Sequence, residues 1–348
     1  MPTDRIPSFT ASSSATDRLP GFTASSSATD RLPNFTASSA AESRQSVMNS
    51  AWSMPAAAGF LTGPLAPNVY LVMDSGQGAL IDAGYADEGS VQARLDYLRG
   101  IPGLDLTYIV LTHHHIDHAS GAHRLRQATG ARICLHPREE RILRDWQADI
   151  PQEVDLPPAR SLEERLRAWR RAAAQATADR LVDDGDIIAV GGVTIEVVHT
   201  PGHTLGSICL YLREERVLFT GDTVLGLGTV AIAPPPHGDM GLYIESLERL
   251  KTYDAALLCP GHGPPVHDVG RKLQELIDHR HERERQILGA LGRGRGTLKA
   301  LLDDIYPELD RRLLNMARGQ ILAHLAKLEG EGRVAKREEG GETVYGVE

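Results

Sequence analysis

A heptad with the sequence THHHIDH, at residues 112–118, constrains the fold of this chain more than any other feature. It follows the apolar run YIVL at residues 108–111, which predicts a buried strand that ends in a turn. His113 and His115 are two positions apart, so their side chains point the same way in an extended segment. The Asp and His that end the heptad fall where a helix is expected to begin. A strand tip with converging imidazoles and a carboxylate predicts two metal ions held side by side.

Four further strands are predicted to end in a side chain of the metal-ligand type. Three of them run into a turn with glycine: TPGHT at residues 200–204, TGD at residues 220–222 and PGH at residues 260–262. Glycine lets the backbone bend sharply where it passes close to an ion. The fourth strand, at residues 79–81, ends directly in an aspartate. The side chains presented in this way are His203, Asp222, His262 and Asp82.

These five motifs, in this order, resemble the metallo-β-lactamase superfamily over residues 68–266. The resemblance implies an α/β fold, a four-layer αββα sandwich with a dinuclear metal site along one edge of its two sheets. It assigns three ligands to each ion and one ligand to both. The first ion would be held by His113, His115 and His203, the second by Asp117, His118 and His262, and Asp222 would bridge them. Asp82 would orient the ligand loop through hydrogen bonds.

Imidazole and carboxylate ligands suit zinc, iron or manganese, and the lack of thiolate in the motifs argues against a closed structural zinc. The expected cofactor is two Zn²⁺ per chain, with Fe or Mn as alternatives. Two ions about 3.5–4 Å apart can share a bridging hydroxide, because each lowers the pKa of bound water toward about 7. Their positive charge also stabilises an oxyanion. The predicted reaction is therefore hydrolysis. Asp117 and Asp222 are the candidate catalytic residues, and Asp117 is expected to pass a proton to the leaving group.

Three other histidines near these motifs are expected to have structural roles. His114 lies between two candidate ligands and faces away from them in an extended strand, which predicts packing or a surface position. His199 precedes His203 by four residues and is expected to support its loop. His136 ends another predicted strand, and lining of the cleft is the alternative interpretation for it.

Composition narrows the class of protein and its partners. The chain has 348 residues, a net charge of −9 and a pI near 5.9, so it carries no general basic field for nucleic acid. Its three cysteines are far apart, which predicts no disulfide framework and a reducing, cytoplasmic compartment. No run approaches 18 apolar residues, so no membrane partner is expected. A homo-oligomer is left open.

The first 50 residues are predicted to be a disordered tail. A 13-residue unit rich in Ser, Thr and Ala begins at Asp4, Asp17 and Asp30, and it is too short and too polar to build a core. One interpretation is a translated DNA repeat upstream of a start at Met48, and the alternative is an adhesive or targeting tail. The tail has no basic segment followed by an apolar stretch, so a secretory signal is not predicted.

Residues 51–270 alternate predicted strands and helices and form the expected hydrolase domain. Residues 146–180 interrupt this alternation with a loop and an arginine-rich helical pattern at residues 162–178. The insertion is a candidate to overhang the cleft and select the substrate. The simpler interpretation is that the arginines form a solvated helix face, because glutamates accompany them.

Residues 271–348 are predicted to form a linking helix and a winged-helix domain. Helical patterns at residues 298–305, 308–314 and 317–328 precede two short strands around the turn-forming EEGGE at residues 338–342. Basic and acidic side chains balance in this region, so it is expected to pack on the core or on another subunit rather than to bind DNA.

This tail resembles the β-lactamase-like protein 2 branch of the superfamily, whose animal members are endoribonucleases acting on single-stranded RNA. The run LGS at residues 205–207 is closer to the glyoxalase II (hydroxyacylglutathione hydrolase) pattern. The favoured function is hydrolysis of a small-molecule ester, thioester or related acyl compound. The alternatives are an endoribonuclease or phosphodiesterase with RNA as its partner, and a non-catalytic regulatory binding protein.

Overall fold

A six-stranded sheet forms the first half of the structure. The chain was analysed as a computed structural model, in which residues 51–54, 66–149 and 161–348 are described. The strands lie in sequence order: β1 Ala51–Met54, β2 Val69–Asp74, β3 Gln77–Ile81, β4 Asp105–Val110, β5 Arg132–Leu135 and β6 Arg180–Leu181. β3 to β6 run parallel, and β1 and β2 extend the sheet antiparallel from the β3 edge.

Helices connect the parallel strands, as a parallel pairing requires. They are α1 Glu88–Arg99, α2 Ile116–Ala119, α3 Ala122–Thr129, α4 Pro137–Asp149 and α5 Leu162–Ala174. α5 begins with a capping box at Ser161 and Glu164, which satisfies backbone donors of its first turn. Trp169 and Ala173 of α5 are buried, so this part of the predicted insertion packs into the domain. Its remaining loop lies outside the described residues.

The second sheet has five strands in the order β11-β10-β9-β8-β7. The strands are β7 Ile187–Val190, β8 Val193–His199, β9 Ile208–Leu212, β10 Val217–Gly221 and β11 Leu257–Pro260, and α6 Met240–Leu250 lies between β10 and β11. Four of these strands are antiparallel, and β11 runs parallel to β10. The two strands therefore end at the same edge, next to residues 222 and 262.

Three apolar cores separate four layers, because the strands are buried on both faces. Alternate residues of β2 show this: Leu71 packs with α1 and α3, whereas Val72 faces the second sheet. The other face of the second sheet packs against α6 and the long helix α7, Val269–Gly292, through residues such as Leu247 and Leu273. This arrangement confirms the predicted αββα sandwich.

The predicted winged helix is confirmed at the C-terminus. It contains α8 Leu298–Ile305, a 3₁₀ turn at Arg311–Leu313, α9 Leu314–Gly330, and the hairpin β12 Val334–Glu339 with β13 Glu342–Val347. A separate apolar cluster holds these elements to the end of α7. The second predicted helix is shorter than expected, because only Arg311–Leu313 adopts a helical turn.

Arg280 of α7 joins the winged helix to the αββα domain. Its side chain is only 2% exposed and donates to Oε1 of Gln320 in α9 (3.1 Å) and to the carbonyl of Val230 (2.7 Å). Its guanidinium also lies over the ring of Tyr243 in α6, 5.0 Å from the centroid. Gln320 in turn donates to the carbonyl of Ile232 (3.5 Å). α9 is thereby fixed against the loop at residues 229–232.

A disordered N-terminal tail and the absence of a membrane-spanning segment were also predicted from the sequence. The tail at residues 1–50 lies outside the described residues, so its predicted disorder stays a prediction. None of the described helices combines the length and the hydropathy needed to cross a bilayer.

Candidate metal centre

The first group of candidate ligands collects at the ends of β4, β8 and β10. Nδ1 of His115 lies 3.0 Å from Nε2 of His113 and 3.0 Å from Nε2 of His203. Oδ2 of Asp222 is 3.7 Å from Nε2 of His203. One ligand atom of each of these four residues lies within 4.8 Å of all the others. The heptad and the motifs that contain His203 and Asp222 are far apart in sequence, and they therefore converge on one point.

The second group lies beside the first and completes the predicted set. Nε2 of His118 is 3.2 Å from Nε2 of His262 and 3.7 Å from Oδ2 of Asp117. The same Asp117 oxygen is 3.2 Å from Nε2 of His262. His118 and Asp117 belong to the short helix α2, and His262 follows β11. All seven predicted residues thus lie at a single edge of the two sheets.

Asp222 lies between the two groups, with one carboxylate oxygen directed toward each. Oδ2 faces His203, whereas Oδ1 is 3.4 Å from Nε2 of His118 and 3.5 Å from Nε2 of His262. Oδ1 is buried and accepts no hydrogen bond from the described residues. A buried carboxylate oxygen without a donor is costly unless a cation compensates it. The position suits a bridging ligand.

Hydrogen bonds at the outer ring atoms turn lone pairs inward. His118 donates from Nδ1 to Oδ2 of Asp82 (2.8 Å), and His203 donates from Nδ1 to the carbonyl of Ala231 (2.9 Å). In the neutral form of each ring, the opposite Nε2 then carries a lone pair. Two or three nitrogen lone pairs about 3 Å apart repel one another unless a cation lies among them. The donor set therefore fits metal ions.

Asp82 organises the heptad from the end of β3. It adopts a left-handed conformation with φ 62°, which aspartate tolerates better than most residues. Its carboxylate accepts from the backbone N–H of Thr112 (2.8 Å) and from the Thr112 hydroxyl (3.0 Å), in addition to His118. This is the orienting position that the resemblance implies for Asp82.

Glycine is required where two ligand loops pass each other. A Cβ at Gly261 would lie 2.5 Å from Oδ1 of Asp222 and 2.8 Å from Cε1 of His118. Gly202, next to His203, has φ 145°, and a Cβ there would lie 2.4 Å from the backbone of Tyr243. All three distances are below any normal contact, so the turns predicted from glycine have a steric cause.

Electrostatics in the site keep the imidazoles of the first group neutral and the carboxylates ionised, whereas burial of His118 and His262 is outweighed by Asp117 and Asp222, which raise the pKa of both rings. Burial lowers the pKa of His113 well below its ordinary value, and the nearby imidazole of His118 acts in the same direction. Burial and the neighbouring His203 lower the pKa of His115 to about 3. Burial raises the pKa of Asp117, but the charge of His118 outweighs it and the pKa falls to about 2. Neutral imidazoles and ionised carboxylates are the ligand forms.

Glu139, in the first turn of α4, holds the ligand loops together and was not predicted. Its buried carboxylate accepts from the backbone N–H of His114 (2.9 Å) and also contacts Nδ1 of the His114 ring. It also accepts from the Thr204 hydroxyl (2.9 Å) and from the N–H of Gly206 (2.8 Å). His114 therefore has the packing role expected for it. No spacing in the sequence marks Glu139, which becomes significant only through its burial.

A third cluster of ligand-type residues has a structural role. The rings of His136 and His199 stack with planes 12° apart and centroids 4.4 Å apart, and Asp183 lies 3.3 Å from Nε2 of His136. Nδ1 of His136 accepts from the N–H of Arg138, and Nε2 of His199 donates to the carbonyl of Leu205. Parallel rings cannot both direct in-plane lone pairs at one ion. His199 thus supports the loop that carries His203, as expected.

Two family models match this chain. The metallo-beta-lactamase superfamily matches residues 62–262, and the beta-lactamase associated winged helix domain matches residues 297–342. The boundaries agree with the two parts of the fold described above.

Curated relatives share about a third of the aligned residues. The chain is 31% identical over 233 residues to the lactamase-like protein adaB of Aspergillus niger, covering 67% of this chain and 61% of that protein. It is 30% identical over 224 residues to the beta-lactamase-like protein 2 homolog of Caenorhabditis elegans (64% and 65%). It is 28% identical over 228 residues to an atrochrysone carboxyl ACP thioesterase of Aspergillus fumigatus (64% and 59%). The chain spans less than two thirds of the length of these relatives.

Solved structures share both parts of the fold. A metallo-beta-lactamase family protein from Thermus thermophilus has a TM-score of 0.67 at 26% identity, covering 86% of this chain and 99% of that chain. A beta-lactamase domain protein from Burkholderia ambifaria has a TM-score of 0.66 at 24% identity, covering 83% and 91%. On the family match, the relatives and the shared architecture, this chain belongs to the metallo-beta-lactamase superfamily of hydrolases and carries the winged-helix domain associated with it.

Proposed function

We propose that this chain is a dinuclear metallohydrolase of acyl compounds, with thioesters as its preferred substrates. The observation that carries the proposal is the position of Asp222, whose two carboxylate oxygens face two separate groups of ligand-type residues. The thioesterase names of several relatives, at 28% identity in Aspergillus fumigatus and 35% over 168 residues in Paecilomyces divaricatus, support the acyl substrate.

Each ion would be held by ligands from different motifs. We assign His113, His115 and His203 to the first ion, Asp117, His118 and His262 to the second, and Asp222 to both. Zinc suits this nitrogen and oxygen donor set, and iron or manganese would also fit it. When bound, two such ions would activate water at neutral pH and stabilise the charge that develops on a carbonyl oxygen.

The side chains around the centre would then position the reaction and move one proton. Asp82 and Ala231 hold the rings of His118 and His203 in the orientation that keeps Nε2 directed inward. Asp117 would accept the proton of the attacking water and return it to the leaving sulfur. In the balanced reaction a carbon–oxygen bond forms, the carbon–sulfur bond breaks, and the products are a carboxylic acid and a thiol.

Cleavage of single-stranded RNA is the second candidate function. It is supported by the winged-helix domain and by the identity to the beta-lactamase-like protein 2 homolog. A phosphate backbone requires a basic track, however, and this chain has a net charge of −9. The helix α9, in the place of a recognition helix, buries Ala323 against the hydrolase core. Thioester hydrolysis therefore remains the preferred proposal, with DNA not expected as a partner.

The two functions separate in one experiment on metal-loaded protein. We expect thiol release from S-acyl substrates, measured with a thiol reagent, and no cleavage of a labelled single-stranded oligoribonucleotide. Both readouts should be repeated with Asp222→Ala, in which the shared ligand is lost. RNA cleavage without thiol release would replace the first proposal by the second.

We also propose that the protein works in a reducing cytoplasm. Its three cysteines, Cys134, Cys209 and Cys259, are buried and form no disulfide. Burial raises the pKa of the Cys259 thiol to about 12, which keeps it protonated and unreactive. Cell fractionation of the native host would test the location.

A further inference from the structure

A large groove begins at the candidate metal centre and runs between α4 and the start of α9. We call it the α4–α9 groove. It has a volume of about 1230 Å³, more than the 300–1,000 Å³ typical of pockets for small molecules. His115 and His203 of the candidate metal centre line it, and residues of the loop 231–237 form part of its wall. A ligand in this groove would therefore reach from the metal centre to the winged-helix domain.

Apolar side chains line facing walls of the α4–α9 groove. Ile142 and Trp146 are four residues apart on α4, so they share one face of that helix. Met316 lines the groove from α9 and is 49% exposed, although contact of its apolar surface with water is unfavourable. Trp146 is held in place by an edge contact with His114 and by the guanidinium of Arg170 over its ring. The walls fit an apolar chain.

Two arginines give one wall a positive charge. Arg138 and Arg141 line the groove one helical turn apart on α4, and both are exposed. Neither guanidinium has a hydrogen bond or an ion pair among the described residues, whereas the nearby Arg144 pairs with Glu140 at 2.6 Å. Arg138 also lies in the first turn of α4, where the helix dipole adds positive potential. Asp145 is the one acidic residue among the described lining residues, and it lies one turn beyond Arg141.

We infer that the α4–α9 groove is the substrate site and takes a thioester with an apolar acyl chain and an anionic group, a phosphate or a carboxylate, bound by Arg138 and Arg141. The planar guanidinium matches both anions in a bidentate geometry. This inference rests on the proposed thioester hydrolysis, and it gives the winged-helix domain a role as one wall of the active-site groove.

The anion is tested with one octanoyl group on three different thiols. Octanoyl-phosphopantetheine carries a phosphate, octanoyl-glutathione carries carboxylates, and octanoyl-N-acetylcysteamine is neutral. The double variant Arg138→Gln, Arg141→Gln should raise KM at least tenfold for the charged thioester that fits, because at least one charge-assisted hydrogen bond is lost with the two guanidinium groups, and leave KM for the neutral one nearly unchanged. The arm that loses affinity identifies the anion. Arg144→Gln is the matched control on the same helix.

The apolar wall is tested by filling the groove. Gly319 of α9 lines it, and a Cβ there would meet nothing within 4 Å, so Gly319→Phe should fold. We expect the ratio of kcat/KM for octanoyl over acetyl thioesters to fall about tenfold, because the long chain loses its space. Gly330→Phe, at the far end of α9 and equally open, is the control.

The outcomes separate the inference from the function on which it rests. If metal-loaded wild type hydrolyses no thioester, the proposed function is wrong. If it hydrolyses thioesters but the arginine variant affects all three thiols equally, or the Gly319→Phe ratio stays at the wild-type value, the assignment of the groove is overturned.

Discussion

At the scale of single residues, Glu139 shows how a side chain outside the candidate ligand set holds the ligand loops of the candidate metal centre together. A fully buried carboxylate is rare unless it is paired, and Glu139 is paired with four donors from the two loops that carry His115 and His203. The hydrogen bonds from His114 and Thr204 outweigh the effect of burial and lower the pKa of Glu139 to about 2. The carboxylate is therefore ionised and rigid.

We predict that Glu139→Gln weakens zinc binding tenfold to a hundredfold. The amide keeps the shape but replaces one acceptor by an N–H₂ group, which faces backbone donors. Competition with a chromophoric chelator measures the dissociation constant. The control is Glu140→Gln. Glu140 is the adjacent buried carboxylate, and it contacts Arg144 and Ala178 instead of the ligand loops. Equal zinc affinity in wild type and Glu139→Gln would contradict the role assigned to Glu139.

Asp117 has the proposed proton-transfer role. We expect Asp117→Ala to lower kcat at least a hundredfold, the ordinary contribution of general acid–base catalysis. Metal analysis must accompany the rate, because Asp117 is also an assigned ligand. A variant that retains two ions per chain and full turnover would exclude the proton transfer.

At the scale of elements, short-range patterns predicted what local sequence determines. The strands before residues 113, 203, 222 and 262 and the C-terminal hairpin follow from apolar runs, alternation and glycine turns. Arg311–Leu313 forms a 3₁₀ turn where a longer helix was predicted. The segment is too short to sustain α-helical hydrogen bonds. The contact of α9 with the core was not predictable from spacing, because it depends on Arg280, 40 residues away from Gln320.

We predict that Arg280→Met destabilises the junction between α7, α9 and the loop at residues 229–232. The carbonyl of Val230 and the side chain of Gln320 would lose their buried donor, at a cost of about 2–3 kcal/mol. Urea unfolding and hydrogen exchange of α9 measure the effect. Arg285→Met, on the exposed side of the same helix, should change the free energy of unfolding by less than about 0.5 kcal/mol. Equal stability of the two variants would refute this account.

At the scale of the whole molecule, the winged helix is joined to the hydrolase domain through buried polar contacts as well as apolar ones. Glu284 of α7 is 5% exposed and lies 2.9 Å from Nζ of Lys327 in α9. His324, at 3.9 Å, and Arg333, at 3.8 Å, also face it. Burial raises the pKa of Glu284, but the contacts with His324 and Lys327 outweigh it and lower the pKa to about 2.

This depressed pKa predicts acid sensitivity of the junction. The stabilisation is fully present above the ordinary carboxyl pKa of 4.5 and is lost as pH falls toward about 2, where Glu284 takes up a proton in the folded state. The difference in unfolding free energy between wild type and Glu284→Gln should therefore shrink over this range. Urea unfolding between pH 5 and about pH 2 measures it, with exposed Glu275→Gln as the control. A difference independent of pH would show that folding does not shift the pKa of Glu284.

The central claim is that seven residues from four segments of the sequence hold two metal ions in one chain. Native mass spectrometry of metal-free protein titrated with zinc tests it most directly, because the method counts the ions on each molecule. The account predicts that two zinc ions bind to each wild-type chain and that Asp222→Ala loses the two-ion species. A wild-type chain that saturates with one ion, or binds none, would contradict the dinuclear centre.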